Sequence, residues 1–187
     1  MRLATATIKG LAPLQFGKYH QAEKTKEKES KDAYEKRTWR EKAHYNKEGV
    51  CFIPPMALKK TVQTAARFLG IQIPGKGKAN YTKHFKSGIL VTEGLNLGVS
   101  KDETEGLWVF SGGTGAGSTT RVMKCFPTIQ EWAGSVIFYI LDDIIPEDVF
   151  ERVLKEAGNF IGLGVFRPEN GGYYGCFEVE SVKWSEQ

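Results

Sequence analysis

A chain of 187 residues, 41% hydrophobic and 26% charged, holds enough material for one well-buried core and too little for two. No apolar run approaches the roughly 18 residues that span a bilayer, and the opening MRLATATIKG lacks the basic-then-apolar layout of an export signal. Three widely spaced cysteines, Cys51, Cys125 and Cys176, with no CxxC pair, argue against a disulfide framework or a zinc knuckle and for small core hydrophobes in a reducing compartment, while a net charge of +4 is too mild to name a partner by itself.

Residues 2–9 alternate loosely and read as a first strand, broken by Gly10 and Pro13. The stretch 18–48 follows as a charged insertion with ten Lys/Arg and seven Asp/Glu. Its middle, about 21–44, has the opposite-charge spacing of a solvated helix, with Tyr34, Trp39 and Tyr45 as the large apolar anchors. Residues 49–53 read as a short buried strand. Pro54-Pro55 then opens a helix over 55–69, in which Leu58, Val62, Ala65 and Leu69 recur at three- and four-residue steps and Gly70 supplies the stop. Residues 71–118 read as a projecting insertion of hairpins and loops, ending in the glycine-rich loop 112–118.

Residues 132–141 form the clearest strand. A helix follows from Pro146, its Val149, Phe150, Val153, Leu154 and Ala157 on one face and Gly158 as its end. A last strand covers 175–184, with a bulge expected near Ser181. With the insertions removed the order approaches β-α-β-β-α-β, the ferredoxin-like arrangement. One strand stays loosely assigned, with a piece within 86–99 as one candidate.

Two constellations carry possible chemistry. From Lys59 to Lys86 there is no carboxylate, yet Lys59, Lys60, Arg67, Lys76, Lys78, Lys83 and Lys86 all fall there, with Tyr81 placed to stack on a base. This is either a solvated basic face or a nucleic-acid contact. Acidic residues gather instead in 142–156, so a bipolar surface suited to head-to-tail assembly is expected. The second constellation is the glycine series 158–177. Gly162 and Gly164 permit positive φ, free backbone N–H groups there are candidate phosphate holders, Arg167 is a charged partner and Tyr173 a stacking one. The alternative is a structural turn packing helix on sheet. The scattered histidines show no metal spacing, and GGTGAGST at 112–119 lacks the lysine of a phosphate loop, so no metal and no cofactor are expected.

The segments Ala157-Gly158, Ile161-Gly162-Leu163-Gly164 and Gly172-Tyr173-Tyr174-Gly175-Cys176-Phe177, leading into a last strand, resemble the glycine-rich loop of the RAMP superfamily, the ferredoxin-like Cas5, Cas6 and Cas7 proteins of CRISPR effector complexes. Leu11-Ala12-Pro13-Leu14 after the first strand and Ile53-Pro54-Pro55 before a helix point the same way. The chain is shorter than a full Cas7 backbone subunit. Its 162–177 segment also resembles the ends of small phage proteins, so a stand-alone, phage-type member is expected. The resemblance implies one RAMP-like domain over 1–187, of α+β class. Its core would be a ferredoxin-like (RRM-like) antiparallel sheet with two helices and long inserted arms.

The resemblance further implies a cytoplasmic protein of a bacterial host cell, with no membrane partner. It would hold single-stranded RNA or DNA by its backbone, self-associate in a Cas7-like manner or join a CRISPR effector complex, and not act as an enzyme. One alternative is an anti-CRISPR protein that mimics an effector subunit. A second is a Cas6-like, metal-independent endoribonuclease with His20, beside Tyr19 and Lys18, as general base.

Overall fold

In the computed structural model, which describes residues 1–23, 29–112 and 121–186, the loose alternation at the start becomes β1 (Arg2–Gly10). Ala4, Ala6 and Ile8 turn inward, and the residues between them face the other way. Small alanines let covering helices approach closely. Those helices are α2 (Pro55–Leu69), the expected span, and α4 (Glu147–Glu156). Pro55 occupies the first helical turn of α2, where its missing N–H costs nothing, and Gly70 closes the helix at φ 56°. Leu58, Val62 and Ala65 from α2 meet Phe150, Val153 and Leu154 from α4 over the alanine face of β1.

β1 lies between β8 (Ala133–Ile140) and β9 (Phe177–Glu186), antiparallel to both. The loosely assigned strand is β4 (Ile89–Leu90), paired with the far side of β8. The sheet order β4-β8-β1-β9 completes the ferredoxin-like β-α-β-β-α-β core. The expected bulge is present: Thr7 opposes Ser181 and Ile8 opposes Val179, which leaves Glu180 as the extra residue.

Gly158 does not end the second helix. The chain continues beyond α4 as a wide turn, Ala157–Ile161, and stops at Gly162. A Cβ at position 158 would stand 1.9 Å from the Phe177 carbonyl oxygen. That glycine is there so that helix and last strand can touch, and composition alone does not separate this role from a stop.

Both long connections leave the core between β1 and α2 and between β4 and β8. The first holds β2 (Leu14–Gln15), α1 (Lys31–Thr38), a 3₁₀ turn Trp39–Lys42 and β3 (Val50–Ile53). The second holds β5 (Leu95–Ser100), β6 (Glu105–Gly112) and β7 (Arg121–Ile129). They interlock as a three-stranded sheet β2-β7-β6 and a two-stranded sheet β3-β5.

The expected solvated helix over 21–44 is narrower, and it is anchored. Glu35, Thr38 and Trp39 are buried. Glu35 accepts a hydrogen bond from the Cys125 N–H at 2.6 Å and pairs with Lys42, whose ammonium also donates to the Cys125 carbonyl at 3.0 Å. The two charges thus cap both polar groups of one β7 residue. The reading of 71–118 as wholly projecting also needs correction. Ile73, Tyr81, Phe85, Ile89 and Leu95 belong to the main core, and the spacing between them follows no single period that would have announced it. The glycine loop expected at 112–118 lies outside the described residues beyond Gly112.

Cys51 and Cys125 are fully buried, and burial pushes both thiols up from 9.0 to about 11. Cys176 is raised as well, again by burial. At pH 8 a shift of that size cuts the thiolate fraction by about a hundredfold. Iodoacetamide labelling of the native protein, followed by mass spectrometry, is therefore expected to leave Cys51 and Cys125 unmodified until denaturant is added. Fast native alkylation of either would contradict this packing.

Candidate nucleic-acid interface

α2 presents Lys60 and Arg67 to solvent, while Thr61 and Thr64 on the same helix turn toward the chain after α4. The Thr61 hydroxyl donates to the Gly162 carbonyl at 3.2 Å in a buried setting. That bond pins the glycine loop, 162–175, against the helix. From its other side the loop leans on β2: Val165 N–H donates to Gln15 C=O, and Gly175 N–H to Pro13 C=O. Gly164 adopts φ 76°, and a Cβ there would lie 2.2 Å from the Gln15 carbonyl oxygen. No side chain fits that junction.

Between α2, β2 and this loop lie three adjoining hollows that share wall residues and line up as sections of a groove. Its first section is bounded by Phe16, Lys18, His44 and Pro54. Gly164 and Arg167 border both this section and the middle one, which adds Lys60 and Thr61. Thr64, Ile161 and Glu169 lead into the third section, bounded by Arg67, Phe68, Phe160 and Pro168.

Cationic side chains occur in every section. Arg167 is held in place: its guanidinium donates to Glu169 at 2.6 and 3.0 Å and to the Gly164 carbonyl at 2.9 Å. Among the described residues, no carboxylate comes within ion-pair distance of Lys60 or Arg67. The Lys18 ammonium lies 4.9 Å from the centre of the Tyr45 ring. His44, packed between Phe16 and Phe52, is held below its usual 6.5 by burial and by the charge of Lys18, and so favours the neutral form.

Of the residues singled out from the sequence, Lys60, Arg67, Gly162, Gly164 and Arg167 come together. The others go elsewhere. Lys59 is half-buried on α2. Lys76 and Lys78 sit on a tight loop closed by the Ile73 N–H to Ala79 C=O bond, and the charge of Lys76 bears on Asp142. Lys83 and Lys86 belong to α3 (Thr82–Ser87), beside β4. Tyr81 is 3% exposed and cannot stack on a base; its ring is core. Tyr173 is exposed and lies against Tyr174, centroids 4.4 Å apart, without lining the groove.

The expectation of free N–H groups in the glycine loop also fails for most of it. The N–H groups of Gly162, Leu163, Val165, Asn170, Gly171, Gly172, Tyr174 and Gly175 all donate to backbone carbonyls. The loop shapes the groove wall and leaves the positive charge to side chains. His20 lies in the wall of a neighbouring hollow with Tyr34, Phe110, Phe126 and Phe166, which shares Gly17 and Lys18 with the first section of the groove. The His20 Nε2 is buried and has no hydrogen-bond partner among the described residues. Thr61, Phe68, Phe160 and Glu169 carried no site role in the sequence reading, and Lys18 entered it only as a neighbour of His20. The one available signal was Phe68, a large apolar residue off the α2 core stripe.

No protein-family model matches the sequence, and no curated protein sequence matches it. Solved structures do. A chain of the Type III-B Cmr-beta bound to cognate target RNA superposes with a TM-score of 0.53 at 12% identity, covering 99% of this chain and 61% of that one. The present chain thus spans less than two thirds of that neighbour's length. Cmr6 from Pyrococcus furiosus gives a TM-score of 0.46 at 14% identity, with coverage of 96% and 98%. At 12% identity the likeness to the first is one of fold, and the fold is α+β and ferredoxin-like.

Proposed function

We propose that this chain is a RAMP-like, Cas7-like binding protein that holds single-stranded nucleic acid along the α2–glycine loop groove. The observation that carries the reading is convergence. Two distant stretches of sequence, 60–67 and 161–169, meet in two adjoining hollows, one with Lys60 and the Glu169-paired Arg167, the other with Arg67. Side-chain cations facing a groove suit phosphates irrespective of sequence. The structural neighbour with the same fold is a chain from Type III-B Cmr-beta bound to cognate target RNA, which favours RNA over DNA here and an effector complex as the setting. His20 lines the hollow adjoining the first section and not the sections that contain Lys60 and Arg67, which favours holding a strand there over cutting it. Basic α2 packs beside α4, whose Glu147, Asp148 and Glu151 face solvent. Copies along one strand would therefore meet acid to base.

The reading is tested by fluorescence anisotropy with a labelled 20-nucleotide RNA and its DNA counterpart at several salt concentrations. Affinity is expected to fall steeply with salt. In a Lys60→Glu/Arg67→Glu variant it should drop about tenfold or more at 0.1 M salt, with the log–log salt slope shallower by about 1.4, two contacts at roughly 0.7 each. Wild-type binding that ignores salt, or a variant that binds as well as wild type, would overturn the proposal.

A further inference from the structure

The third section of the groove contains a feature that phosphate binding does not use. Phe68, at the end of α2, and Phe160, in the wide turn after α4, are 63% and 49% exposed. Their rings are 5.3 Å apart, tilted by 37°. Neither ring serves the core: Leu58, Val62 and Ala65 fill the buried stripe of α2, and the buried residues of the wide turn are Ala157, Gly158 and Ile161. Two distant segments thus bring two aromatic rings to the same hollow and leave both in water, directly beside Arg67 and opposite Pro168.

We infer that this aromatic pair is a stacking subsite for one unpaired nucleobase, at the Arg67 end of the groove. The inference rests on the proposed strand-holding role. The occupant follows from what adjoins the pair. Lys60 and Arg67 are seven residues apart on one helix, a rise of about 10 Å, so a sugar–phosphate backbone tracked by those cations arrives at the rings. A base there offers a flat apolar face of the right size and stacks irrespective of its identity. A base within a duplex has both faces covered, so the subsite selects single strands.

The test compares a 12-nucleotide single strand with a strand of the same length made entirely of abasic nucleotides, titrated by anisotropy into wild type, Phe68→Ala and Phe160→Ala. Both rings are exposed, so these variants keep the fold; circular dichroism checks it. Each variant is expected to lose about tenfold affinity for the base-bearing strand and to bind the abasic strand like wild type. A 2-aminopurine strand should be quenched by wild type and not by the variants. Salt-dependent wild-type binding with equal affinity in the variants, or equal losses on both strands, overturns the subsite and leaves the strand-holding role standing. Variants that lower the sedimentation mass while base-bearing affinity is unchanged would reassign the rings to a contact between copies. Absence of wild-type binding to either strand overturns both readings.

Discussion

Replacing Glu35 by alanine is expected to destabilise the protein by about 3 kcal/mol, read as a lower urea midpoint with an unchanged slope. The Glu35 side chain is 5% exposed and that of Lys42 17%. Removal of the carboxylate strands a largely buried ammonium and leaves the Cys125 N–H without its acceptor. Breaking one half of a buried pair costs roughly 3–5 kcal/mol, because the surviving charge has already lost its water; the residual exposure of Lys42 places this case at the lower end. In Glu35→Met/Lys42→Met no charge is left behind, and much of the loss should be recovered despite the removal of one more hydrogen bond, that from Lys42 to the Cys125 carbonyl. A double variant as destabilised as the sum of its singles would show that the two charges contribute independently and that neither is stranded by loss of the other.

Gly164→Ala is expected to cost about 2–5 kcal/mol and to weaken strand binding as well. Two effects add. The φ of 76° places any L-residue in a region costing roughly 1–2 kcal/mol. The new methyl carbon would also sit 2.2 Å from a backbone oxygen, Gln15 C=O, which cannot swing aside as a side-chain tip can. Overpacking of this kind costs typically 1–3 kcal/mol. Relief requires the loop to move off β2, which loosens the Val165-to-Gln15 bond and carries Arg167 away from Lys60. Thermal unfolding and the anisotropy titration should therefore shift together. Unchanged stability would show that the junction with β2 is slack.

The sequence made the regular parts legible and the contacts between them obscure. α2 declared both of its ends, because proline and glycine mark them by backbone chemistry independent of surroundings. β1, β8 and β9 showed through their alternation. β4 did not: two residues, Ile89 and Leu90, are too short for any period to register, and only pairing with β8 makes them a strand. Glu35 and Lys42 look like every other charge in 18–48, since the burial of a charge depends on the chain that covers it. The same holds within the groove. The lysines at 76, 78, 83 and 86 were adjacent to Arg67 in sequence composition and are elsewhere in space. Phe160 looked like an ordinary member of the glycine series until the wide turn carried it outward.

The interlocking of the two inserted arms has a consequence for how such a protein can be shortened or lengthened. β2 from the first arm borders β7 from the second, α1 covers Cys125, and β3 is zipped to β5. Excising either arm alone would bare the other's strand margins and invite sticking between molecules. The pair therefore behaves as a single heritable module: trimming works on both together or on neither, and loop grafts belong at the tips, away from the shared seam.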